Sequence, residues 1–191
     1  MRKGITAVLL FLAIVGMSCS SAPVLPEFTT VVKLSTYQQV TLEEASDILG
    51  VALPEPEYLP KGLQVQEVYV YYYPPGGYYP HGKGTVLTIF SDGKVEKELL
   101  EYTDQDGITR LKYNIECKME MQTKWLGGDK FIPIKPPPGL ETVKINGRVG
   151  FIREKADLNI LVWQIPKFEL ALFISKDAPK EELIKVAESV S

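Results

Sequence analysis

Few residues in this chain are placed to do chemistry, and the first is Cys19. It follows a basic start at Arg2 and Lys3, an apolar run from about Ile5 to Met17, and a small residue, in the order Ser18-Cys19-Ser20-Ser21. A cysteine there is where a bacterial-type lipoprotein signal is cut and the sulfur acylated, with Gly16 standing where Leu is usual. The apolar stretch from Gly4 to Met17 is fourteen residues, short of the roughly 20 that a bilayer-spanning helix needs. Each CH₂ of a buried acyl chain contributes about 0.8 kcal/mol, so several chains on one cysteine hold a protein at a membrane without help from its folded part. Secretion after a cut near Ala22 and an uncleaved short anchor are the alternatives.

The second concentration is aromatic. Tyr69, Tyr71, Tyr72, Tyr73, Tyr78 and Tyr79, six of the chain's ten tyrosines, surround Pro74-Pro75-Gly76-Gly77. Amphipathic rings suit a binding rim, since each offers apolar area and a hydroxyl at low entropic cost. The same rings suit a half-buried strand, which is the simpler reading for Tyr69 and Tyr71. Tyr71, Tyr73, Tyr78 and Tyr79, with Trp125 at a strand end before Gly127-Gly128, are the candidate ligand or partner contacts. Trp163 shares a face with Leu161 and Ile165 and reads as core.

Other candidates carry less. Asp104-Gln105-Asp106-Gly107 fails as a calcium loop, because alignment on its glycine puts Tyr102 and Tyr113 where ligands belong, so a tight turn is expected. His81 is the only histidine and has no nucleophile or metal partner at useful spacing. Cys117 alternates with Ile115 and Met119 and reads as a buried thiol. Glu96, Glu98 and Glu101, with Lys94 and Lys97, read as a solvated strand face. No catalytic residue, metal ligand or cofactor motif emerges, and a non-enzymatic protein is expected.

Charge narrows the partners. Removal of a signal carrying Arg2 and Lys3 and no acid takes the 21 basic residues to 19, against 24 acidic, a net −5. That balance argues against nucleic acid and anionic headgroups as partners. With Cys19 acylated, Cys117 has no partner for a disulfide, and stability must come from the core.

The elements that must position these residues are mostly strands. The expected organisation is a signal peptide over 1–18, a tether over 19–39 that ends in a strand at most, and one α+β domain over 40–191. Thr41 and Glu44 have the spacing of a capping box, opening a short helix that Gly50 stops. Strands are expected from Leu63 to Tyr73 and from Thr85 to Phe90, turning at Ser91-Asp92-Gly93 into Lys94 to Tyr102. From Arg110 to Met121 the alternation is unbroken, which predicts one long antiparallel strand. Asn146-Gly147 predicts a hairpin, and Leu158 to Ile165 pairs with Phe168 to Ser175 across Pro166-Lys167. Pro179 at a first helical position opens a closing helix whose apolar stripe is Leu183, Val186, Ala187 and Val190. The fold class is α+β, a curved antiparallel sheet of six to eight strands with an N-terminal and a C-terminal helix packed on one face.

Tyr58-Leu59-Pro60-Lys61-Gly62, Ile145-Asn146-Gly147, Leu161-Val162-Trp163 and Glu181 to Ser189, taken in order, resemble the bacterial and archaeal family called domain of unknown function 4367 (DUF 4367). The resemblance spans roughly Thr41 to Val190. It implies an extracytoplasmic part of a lipoprotein or membrane-bound regulator, with a fold similar to lipoprotein-carrier domains such as LolA and to the regulator RseB. It implies no activity and assigns no catalytic residue. The insert at Pro74 to Gly84 and the loop Pro136-Pro137-Pro138 depart from the family's pattern. The combined expectation is a membrane-tethered extracytoplasmic domain that binds or senses a lipid or protein partner near the loops Pro74 to Gly84 and Asp129 to Gly139. A structural envelope protein with no small ligand is the rival.

Overall fold

A computed structural model describes residues 24–73, 83–127 and 133–191. Eleven strands and two helices follow one another: β1 (Phe28–Lys33), β2 (Gln38–Val40), α1 (Leu42–Leu49), β3 (Gln64–Tyr73), β4 (Lys83–Ser91), β5 (Glu96–Thr103), β6 (Thr109–Cys117), β7 (Met119–Trp125), β8 (Glu141–Ile145), β9 (Arg148–Glu154), β10 (Leu158–Ile165), β11 (Phe168–Ser175) and α2 (Lys180–Glu188). They form an open eight-stranded sheet, ordered β2-β3-β4-β7-β11-β10-β9-β8, and a three-stranded sheet, ordered β1-β6-β5. Every pairing is antiparallel.

The local chemistry explains the elements. Thr41 accepts from the Glu44 amide at 3.1 Å while the Glu44 carboxylate accepts from the Thr41 amide at 2.7 Å, and Gly50 leaves α1 at φ 66°. Asn146 and Gly147 both take positive φ between β8 and β9, as a tight two-residue hairpin turn requires. Pro179 caps α2 from an extended conformation rather than occupying its first turn.

Strand register divides the large sheet into two faces. Val86, Phe90, Met119, Met121, Leu161, Trp163, Leu170 and Leu172 point to one side, where α1 and α2 both pack, as the sequence predicts. Tyr69, Leu87 and Ile89 point to the other, where the small sheet lays Val32, Ile115 and Cys117 against them. The molecule therefore has three layers: helices, eight strands, three strands.

Two sets of expectations are revised, the first in the strand pattern. Arg110 to Met121 is not one strand: Lys118 turns the chain from the small sheet into the large one, its amide bonding the Phe90 carbonyl at 3.1 Å and its ammonium 2.6 Å from Asp92. Period two survives the corner, yet the face it addresses changes. Ile115 and Cys117 fill the space between the sheets, whereas Met119 and Met121 fill the helix side and Glu120 is buried between the sheets. Likewise Ser91-Asp92-Gly93 is no hairpin, since β4 pairs with β3 and β7 while β5 pairs with β6.

The other revision concerns the tether. Leu25 is only 3% exposed and joins the helix-side core, and the uncharged, β-branched stretch from Phe28 to Val32 pairs along its whole length with β6. The folded unit thus includes Leu25 and β1, which the expected tether would have left out of it. Among the described residues no helix is long and apolar enough to cross a membrane.

Candidate functional site

One end of the strands gathers most of the candidate contacts. Gly84, Trp125 and Phe168 are neighbours across β4, β7 and β11, so the roots of the β3–β4 connection and of the β7–β8 connection emerge side by side. Trp125 is half-buried on the helix-side face, packed between the two clusters on that side. Leu126 donates its amide to the Lys167 carbonyl at 2.8 Å, which ties the exit of β7 to the β10–β11 turn. Gly84 lets Leu49 of α1 seat directly on β4, since a Cβ at position 84 would lie 2.1 Å from Leu49 Cδ2 and force that side chain to shift.

A cleft of about 580 Å³ opens at this same end. Leu53, Pro54, Ile165, Pro166, Phe168 and Val190 give it an apolar lining, with Arg148, Glu57 and Glu188 among its polar groups. Its walls are held by hydrogen bonds between distant segments. Asn146 Nδ2 donates to the Glu188 carbonyl at 2.7 Å, the Glu57 amide donates to the Ser189 carbonyl at 3.1 Å, and Pro56 bridges to Val190. Beneath, the Tyr58 hydroxyl donates to Glu182 at 2.8 Å, and Lys185 sits 2.7 Å from the same carboxylate. Burial alone would push the Glu182 carboxyl up, but those two partners outweigh it and hold it below the usual carboxylate range.

The predicted aromatic contacts do not form one patch. Tyr71 lies on the opposite face of the sheet from Trp125, its ring 5.8 Å from Tyr37 at 54°, whereas Tyr72 packs on the helix side beside α1. Tyr73 ends β3 in register with Lys83. Tyr69 is wholly buried and donates to Glu67, which makes it a structural residue. Cys19, Tyr78, Tyr79 and His81 lie outside the described residues. Trp125 and the Tyr71 side can therefore share a ligand only across the rim of the sheet, never on a single face.

The remaining candidates resolve as structure. Asp104 accepts from the amides of Asp106 at 3.0 Å and Ile108 at 2.9 Å and pairs with Arg110, so its oxygens organise the β5–β6 turn. Its carboxyl is held down first by Arg110 and then by the Ile108 amide. Cys117 is wholly buried and burial pushes its thiol up, away from the reactive thiolate. Trp163 is wholly buried in the core. Among the described residues no group of three or more His, Cys, Asp or Glu is arranged to hold a metal ion.

Sequence reasoning does not find the cleft. Its walls come from segments around residues 52–57, 146–148, 165–168 and 188–191, which meet only through tertiary packing, and the one local signal there, Asn146-Gly147, speaks of a turn. It also misses Glu120, which occupies a polar slot of the alternation yet is 3% exposed. Burial raises the Glu120 carboxyl above its ordinary range against the opposing hydrogen bonds from Thr30 and Gln122. Compared with family models, with curated proteins and with solved structures, the chain matches none.

Proposed function

We propose that this chain is a membrane-tethered extracytoplasmic lipoprotein, acylated at Cys19, whose folded part is a non-enzymatic binding or sensing domain for an apolar ligand or an envelope partner. The observation that carries the binding half is the juxtaposition of Trp125, the roots of both loop connections and the apolar cleft at one end of the sheet. A concave lining that sets Leu53, Ile165, Phe168 and Val190 beside polar groups such as Arg148 and Glu188 suits an amphipathic ligand. The tether half is supported by the basic, apolar and Ser18-Cys19 order of the first residues. No nucleic-acid partner is proposed, given the acidic balance of the chain.

Titration with a single-chain lipid brominated near its terminus tests the site, with Trp125 as the reporter and wholly buried Trp163 as a constant background. Saturable quenching that disappears in Ile165→Lys supports the reading, and quenching that rises linearly without saturation in the parent chain rejects it. A second reading, an envelope scaffold without a small ligand, is favoured by one observation: the space between helices and sheet is filled by wholly buried side chains such as Leu161, Trp163, Leu170 and Leu172. In that case the same cleft would take a protein segment and ignore the lipid.

A further inference from the structure

We propose that β5 is a homodimerisation edge, on which a second copy of this chain adds its own β5 antiparallel to form a continuous six-stranded sheet. The four sheet edges among the described residues are β1, β2, β5 and β8, of six, three, eight and five residues, so β5 is the longest. Its pairing with β6 runs without a register shift from Glu96 to Thr103, and it contains neither Pro nor Gly. Folded proteins usually blunt such an edge with a bulge, a proline, a shortened strand or charged side chains, and of these devices β5 carries the charges alone, at Glu96, Lys97, Glu98 and Glu101. This one keeps its outward row of backbone donors and acceptors straight.

The side chains select the occupant and the register. When Leu99 faces Leu99 of the second copy across the two-fold axis, Lys97 falls opposite Glu101 of that copy, and Glu101 opposite its Lys97. Strand alternation places Lys97, Leu99 and Glu101 on one face, so both ion pairs flank the leucine pair on the same side. Tyr113 is already the β6 partner of Leu99, and the dimer would extend that row to Tyr113–Leu99–Leu99–Tyr113, a favourable cross-strand sequence of aromatic and aliphatic groups. Moving the register by one residue instead sets Glu98 against Glu101, two like charges. Leu99 is 52% exposed, and Leu111, diagonal to it on the same face, is 42% exposed. The second copy covers the exposed Leu99, while Leu111, one strand further in beside Glu101, borders the seam. Lys97 also lies 2.6 Å from Glu67, and its three donors allow both acceptors.

The test uses the full-length chain in detergent under mild oxidation, with the unaltered chain as the control for Cys19 and Cys117. Leu99→Cys should crosslink to itself. Glu101→Cys should not, because its two copies lie four residues apart along the strands, but should crosslink when mixed with Lys97→Cys. Sedimentation should give a dimer for the unaltered chain at high micromolar concentration, and Glu101→Lys should weaken it roughly ten-fold by placing like charges together. Leu99 and Glu101 are both exposed, so the unfolding midpoint measured at a dilution where the unaltered chain is monomeric should not move, which separates lost association from lost folding. A monomer at that concentration, or Leu99→Cys crosslinking no faster than the unaltered chain, would overturn the proposal.

Discussion

The two sides of the eight-stranded sheet each bury one carboxylate, and they treat it in opposite ways. On the helix side Glu182 is 3% exposed but reaches Lys185 and Tyr58 at the surface. Between the sheets Glu120 is equally buried, yet among the described residues its partners are the Thr30 hydroxyl and the Gln122 amide, with no cation. The rest of the helix-side layer is mostly apolar, built from Trp163, Leu161, Leu170 and Leu172 with the small hydroxyls of Thr88 and Thr123 buried among them. The inter-sheet layer mixes Ile115 and Leu87 with Tyr69 and Cys117, and Glu67 and Lys97 close one margin. The helix side supplies stability, and the inter-sheet side spends some of it on polar groups that fix how the small sheet sits.

The largest test of that contrast is truncation on the helix side. Leu172→Ala, at a position with no exposure, should cost about 3–5 kcal/mol in urea unfolding, through lost transfer energy and the cavity left behind. A cost below about 1 kcal/mol would mean this layer is not the principal core.

Next comes Glu120→Gln, which keeps the shape, removes the charge and leaves one acceptor for Gln122 while turning the other into a donor that the Thr30 hydroxyl can accept. The Glu120 carboxyl is raised in the folded state, so its contribution to stability is present below the ordinary glutamate value and is lost as pH rises through the folded value. The substitution should therefore add about 1–2 kcal/mol near neutral pH and flatten the profile above pH ~4.5. Destabilisation at neutral pH would show that the ionised form is preferred in place.

Glu182→Gln should do the reverse and by less, about 1 kcal/mol, because Lys185 is largely exposed and its pairing is screened. The Glu182 carboxyl is lowered, so its contribution is present above the ordinary glutamate value and vanishes as pH falls through the folded value. The difference between parent and variant should close in acid; if it persisted there, the lost packing under Tyr58 rather than the charge would account for it.

The smallest effect concerns Cys117. With the thiol wholly buried and held protonated, its labelling by a thiol reagent should proceed only as fast as the inter-sheet layer opens, and should slow in a stabilising osmolyte. Immediate labelling in native buffer would place Cys117 at an accessible surface.

Much of this architecture is readable from local signals. The capping box at Thr41 and Glu44, the stop at Gly50 and the Asn146-Gly147 hairpin each depend on residues within a few positions of one another, and each is realised. The corner at Lys118 is not readable, because alternation records which residues share a side of the chain and not which sheet that side meets. Glu120 falls in a polar slot and becomes buried for that reason. Phe28 to Val32 resembles a spacer in composition, and only the distant β6 turns it into a strand. The aromatic residues suffer the same limit: Tyr71 and Trp125 look equivalent in the sequence and lie on opposite faces. The cleft is invisible because its walls come from four separate segments spread between residues 52 and 191.

The central proposal is that a modified cysteine, Cys19, holds the folded domain at a membrane. Mass spectrometry of the protein extracted from membranes tests this most directly. We expect a mature chain that starts at Cys19 and carries the added mass of acyl groups on that residue. A chain that retains its first eighteen residues and is recovered from the cell interior, without acyl mass on Cys19, would contradict it.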